Sequence, residues 1–149
     1  MPNPDRTAIT AESLRAREEW TRGFPDADLV WEETADQGKG IGFDGLDPSA
    51  MVRAMYRTRA LGADVLHWYR DSLESLGWVR HEPRRDGWWE WRLPAQPGAR
   101  FDVMDHGAVI EHPGWPVPED VVGMTMFEVL FRASSQPGVV PGESKTFLA

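Results

Sequence analysis

Two hydrophobic periods divide the chain. In "GADVLHWYRDSLESLG", Val65, Tyr69, Leu73 and Leu76 recur at helical spacing with Leu66 and Trp68 flanking, which predicts a main helix over about 63–76 that stops at Gly77. Elsewhere the period is two. "ADLVWEE" puts Leu29 and Trp31 on one strand face and Val30 and Glu32 on the other, while "WWEWRL" and "RFDVMD" alternate on either side of a Pro/Gly break at 94–98. "MTMFEVLFRA" supplies one more strand. The stretch "MVRAMYRTRA", residues 51–60, is ambiguous, because Asp47-Pro48 could open a helix. The alternation of Val52, Ala54, Tyr56 and Thr58 favours a strand. Near the start, Thr10 can cap a short helix running towards Gly23, with the thin apolar face of Leu14, Ala16 and Trp20.

One strong helix among hairpin-linked strands predicts an α+β fold, with an antiparallel sheet of about five or six strands and the main helix on one face. The expected organisation is a flexible leader over residues 1–9, one domain over 10–133 and a flexible Pro/Gly/Ser tail over 134–149. A chain of 149 residues suits a single core.

Charge narrows the partners. The 24 acidic against 16 basic side chains give a net charge of −8, which opposes a nucleic-acid backbone. The absence of cysteine removes disulfides, thiolate metal sites and cysteine nucleophiles. The polar start "MPNPDRTAITAE" lacks the apolar stretch of a signal peptide, and no apolar run approaches the ~20 residues of a membrane span. A cytoplasmic protein without membrane or nucleic-acid partners is therefore expected.

The chemical motifs are weak ones. "GIGFDG", residues 40–45, spells GxGxxG, and Asp64 lies near the distance expected of a ribose ligand. A dinucleotide site needs a parallel sheet, however, and the hairpin pattern predicts a glycine-rich connection instead. In "DVMDHGAVIEH", pairing of "FDVMD" with "AVIEH" across a His106-Gly107 turn would separate His106 from His112 by roughly 15–20 Å, too far to share an ion. His67, Asp71 and Glu74 read as a solvated helix face, and no serine stands in a nucleophile elbow. No metal, cofactor or catalytic residue is assigned.

Two candidate binding features remain. Arg53, Arg57 and Arg59 would project from one face of the strand at 51–60, where they could hold a carboxylate or phosphate unless Glu32, Glu90 and Glu128 neutralise them across the sheet. In "DGWWEWRLP", alternation assigns Trp89, Trp91 and Leu93 to the core and leaves Trp88 beside Glu90 and Arg92. Trp88 could join Trp115, which stands at the centre of the proline-rich "HPGWPVPED", in a recognition surface.

The segment "VLHWYRDSLESLGW" resembles one found in small uncharacterised actinobacterial proteins and lipoproteins, through Trp68, Tyr69, Leu73, Leu76, Gly77 and Trp78. A weaker similarity runs from about Asp28 to Ala133. The resemblance implies the helix-to-strand junction and carries no functional residues. The leading expectation is a non-catalytic binding or accessory domain for a protein or small molecule. The competing classes are a pocket or enzyme built on His106, Asp105 or the arginine row, and an acidic immunity or inhibitor protein.

Overall fold

The alternation at residues 50–58 is realised as a central strand. In a computed structural model that describes residues 8–38, 49–110 and 118–135, without the side chains of 82–85, the strands are β1 (Asp28–Ala35), β2 (Ala50–Thr58), β3 (Val79–Arg85), β4 (Trp88–Leu93), β5 (Gln96–Ala108) and β6 (Thr125–Ala133). They form one antiparallel six-stranded sheet in the order β1-β2-β6-β5-β4-β3. The helices are α1 (Ala11–Arg15), α2 (Glu18–Thr21) and α3 (Gly62–Ser75). The fold is α+β, as the two periods predict.

Because strand side chains alternate, the register sorts the sheet into two faces. On one, Val52, Phe127, Val129, Phe131, Phe101, Val103 and Trp91 are buried together beneath Val65, Leu66, Tyr69 and Leu73 of α3. Trp89 and Leu93 pack against this core while half-buried. No residue in the cluster is more fully enclosed than Trp91, at 0% exposure.

The end of α3 explains the Leu-Gly-Trp junction. Gly77 adopts φ +93, its N–H donates to the Glu74 carbonyl (3.1 Å), and the Trp78 N–H reaches back to the Leu73 carbonyl (3.0 Å). These bonds form a Schellman motif, which satisfies the last carbonyls of the helix and turns Trp78 inward. At the other end, Gly62 permits the Asp105 carboxylate to lie against the first turn, where a Cβ would collide with it. The position of that carboxylate complements the helix dipole.

Three local expectations are corrected. The N-terminal helix is broken into α1, capped by Thr10 (Ser13 N–H to Oγ1, 3.2 Å), and α2, because Arg17 takes an extended conformation. The break brings Glu19 inward, where its carboxylate accepts from the Arg17 guanidinium and from the Trp78 indole N–H at 2.9 Å. In β1, a bulge between Leu29 and Trp31 sends these two residues to opposite faces instead of the same one. The turn expected at His106-Gly107 is likewise a bulge within a continuous β5: Gly107 takes φ +82, its N–H bonds to Asp105 Oδ1 (2.8 Å), and pairing with β6 resumes at Met126. His112, Trp115 and the glycine motif at 40–45 lie outside the described residues.

Candidate functional site

The face opposite α3 is not an ordinary solvent face, because most of its side chains are buried or half-buried. The register lays them out in cross-sheet rows. One row carries Met51, Arg132, Arg100 and Arg92 on neighbouring strands. The next carries Glu33, Arg53, Leu130, Asp102, Glu90 and His81. A third reads Trp31, Met55, Glu128, Met104, Trp88 across five adjacent strands.

Three arginines side by side would repel one another in the absence of carboxylates. The second row provides them. Arg100, 1% exposed, makes a bidentate pair with Asp102 at 2.8 Å through both Nε and Nη2, and its Nη2 also lies 3.2 Å from Glu90. Arg92 Nε donates to Glu90 at 2.6 Å. Asp102, 0% exposed, additionally accepts the Trp88 indole N–H at 3.0 Å. Arg132, half-buried, stands 3.9 Å from Asp102 through Nη2, and its buried Nε has no acceptor among the described residues. For Arg100 and Arg92 the condition under which buried charges are tolerated is met, since each is paired with a carboxylate at hydrogen-bond distance.

A second group surrounds Glu128, which is 3% exposed. The Arg53 Nε–H donates to one of its oxygens and His106 Nε2 lies 3.0 Å from the other. Arg53 also bridges to Glu33 (3.2 Å), and its guanidinium stands 5.1 Å from the centre of the Trp31 ring. The hydrogen bond to Glu128 outweighs burial and raises the Arg53 pKa, fixing its charge. The His106–Glu128 pair has the layout of an imidazole oriented by a carboxylate.

The arginine row foreseen from the sequence is thereby resolved into three different situations. Arg53 is neutralised by Glu128, as cross-strand pairing anticipates. Arg59 falls just beyond β2, is exposed, and donates to the Asp120 carbonyl at 3.0 Å. Arg57 lies on the same face as Arg53, half-buried, with its Nε buried and lacking an acceptor among the described residues. Of the other expected partners, Glu90 serves Arg92 and Arg100, whereas the β1 bulge turns Glu32 to the helical side, where it pairs with Arg15 at 3.2 Å.

Trp88 occupies the face opposite Trp89 and Trp91, as alternation requires, and is half-buried and fixed through Asp102. Its suggested companion Trp115 is outside the described residues. The tryptophan that the structure places in register with it is Trp31, which simple alternation groups with Leu29 and the β1 bulge separates from it. The signal for the buried ions was present in "EWR" and "RFD", where opposite charges stand two apart and therefore share a face of a strand. Among the described residues, no group of three or more His, Asp or Glu has the arrangement of a metal site, and no helix is long and apolar enough to cross a membrane. Comparison with protein-family models, curated proteins and solved structures finds no match.

Proposed function

We propose that this chain is a non-catalytic binding domain whose recognition surface is the sheet face opposite α3. The observation that carries the reading is the row Trp31, Met55, Glu128, Met104, Trp88. Two aromatic rings about four strand spacings apart, roughly 19 Å, bracket two thioethers and a carboxylate already held by Arg53 and His106. Methionine adapts to the shape of a partner, and tryptophan supplies area at low entropic cost. The central charges are committed internally, so the surface offers apolar contact with fixed polar borders. Such a surface favours holding a molecule over transforming one.

The test compares what wild-type protein and variants retain from a cell extract, with proteins and small molecules both read by mass spectrometry. Met55→Lys and Trp31→Ala, at half-buried and exposed positions, should keep the melting temperature within a few degrees and lose the retained partner. Glu74→Lys, on the exposed side of α3, should retain it. Equal retention by all three variants would refute the assignment of the face.

A second reading rests on His106. An imidazole 3.0 Å from a buried glutamate has the geometry of a general base. Turnover of the retained molecule that disappears in His106→Gln would favour it over simple binding.

A further inference from the structure

We propose that Arg57 anchors a site for the carboxylate of a small organic acid, with the apolar body of that acid resting on the adjoining Met55, Met126 and Trp31. The inference rests on the recognition face described above and names the class of ligand it takes. Its starting point is an unmet donor. Arg53 spends its guanidinium on Glu128 and Glu33, and Arg59 donates to a backbone carbonyl. Arg57 makes no hydrogen bond or ion pair among the described residues, although its Nε is buried. A buried N–H without an acceptor is unfavourable. Arg132 Nε is in the same position on this face but belongs to a side chain with other partners; the Arg57 guanidinium has none among the described residues, which points to an acceptor from outside the chain.

The surroundings select the acceptor. In register, Arg57 stands between Asp28 on β1 and Met126 on β6, with Met55 two residues before it on the same face and Trp31 opposite Met55. Nε together with one Nη forms the side-on fork that matches two carboxylate oxygens. One guanidinium balances one negative charge. A phosphate dianion would meet the same single cation with Asp28 and Glu128 close by, and like charges oppose it. Asp28 is exposed and forms no ion pair with Arg57; an acid that brings its own apolar body gains the burial that an exposed Asp28 cannot. The thioethers and the indole provide a surface for that body.

Calorimetric titration of the full chain with phenylacetate, phenylacetamide and inorganic phosphate tests the site. Phenylacetate should bind saturably, weaken about tenfold or more in Arg57→Gln as a charge-assisted bidentate contact is lost, and bind Arg59→Gln as it does wild type. Arg57→Lys keeps the charge and the aliphatic stem but lacks the planar fork; it should fall between the two, and it keeps the test informative if Arg57→Gln does not fold. Phenylacetamide should bind at least as weakly as phenylacetate does to Arg57→Gln. The proposal is overturned by absence of saturable phenylacetate binding, by equal affinity of the amide, by unchanged affinity in both Arg57 variants, or by phosphate binding as tightly as the acid. If phenylacetate fails while Met55→Lys and Trp31→Ala still abolish partner retention, the carboxylate inference falls and the recognition face stands. Failure of both experiments removes the face itself.

Discussion

Replacing Asp102 with alanine should expose how much of the fold depends on its buried ions. The variant removes both oxygens that Arg100 engages at 2.8 Å, while Arg100 remains only 1% exposed. Breaking a buried pair by deleting one partner typically costs about 3–5 kcal/mol. The lower end applies, because Arg100 keeps Glu90 Oε1 at 3.2 Å and because Trp88, being half-buried, can exchange its lost acceptor for water. A loss of about 3 kcal/mol lowers the melting temperature of a domain this size by on the order of 10 °C. The double variant Arg100→Met, Asp102→Leu leaves neither member of the close pair alone: Glu90 retains Arg92 at 2.6 Å, and Arg132 loses only its 3.9 Å contact with Asp102. It should recover most of the stability. Urea unfolding followed by tryptophan fluorescence, for wild type, Asp102→Ala, the two parents Arg100→Met and Asp102→Leu, and the double, gives the loss and the coupling directly. A loss below about 1 kcal/mol in Asp102→Ala, or a double variant no more stable than it, would refute the reasoning.

Two other consequences can be measured in the same way. Burial pushes the Glu19 carboxyl up, but the hydrogen bonds from Arg17, its own backbone N–H and Trp78 outweigh this and hold it below the ordinary 4.5; its contribution is therefore present above that pH and lost as pH falls through the lowered folded value. Glu19→Gln should cost about 1–3 kcal/mol at neutral pH, with the gap to wild type closing below pH 4.5; a gap independent of pH would contradict the assignment. Gly98→Ala should destabilise strongly, because a Cβ at this position would run into the Ser134 backbone carbonyl, whose own N–H donates to the Gly98 carbonyl at 2.8 Å; unchanged thermal unfolding would show that the β5 and β6 ends do not approach so closely.

The elements were legible wherever one physical cause acted alone. Period-two alternation sufficed for β2, and the helical spacing of Val65, Tyr69 and Leu73 located α3 to within a residue at each end, because burial on one side sets the pattern in both. It failed where an inserted residue breaks the count. The bulges after Leu29 and at His106 each shift one residue between faces, and no local propensity announces a bulge in β1. The break between α1 and α2 was hidden for a different reason: Arg17 leaves the helix for partners far along the chain, Gln96 at 2.7 Å and the Phe131 ring at 5.0 Å. Of the candidate site, the arginine face and the orientation of Trp88 could be read from alternation. Which arginine is left without any partner among the described residues could not, since that depends on cross-strand neighbours separated by as many as 75 residues, as in Arg53 and Glu128.

The division of the sheet into two faces has a consequence for how function could change without loss of the fold. Every residue of the strands contributes to one side or the other, so a recognition face on β1, β2, β6, β5 and β4 shares its backbone with the core but not its side chains. The separation is incomplete at Asp102, Arg100, Glu90 and Glu128, which are as deeply buried as core residues and whose loss leaves uncompensated charge. Those four hold the face together and are poor places to alter specificity. Trp31, Met55, Met104, Met126 and Arg57 are half-buried or more exposed, so changing them disturbs little of the interior and much of the surface a ligand meets. If the face recognises an organic acid, specificity for its apolar body resides in the methionines and Trp31, whose shape can vary, while the charge requirement resides in Arg57 alone.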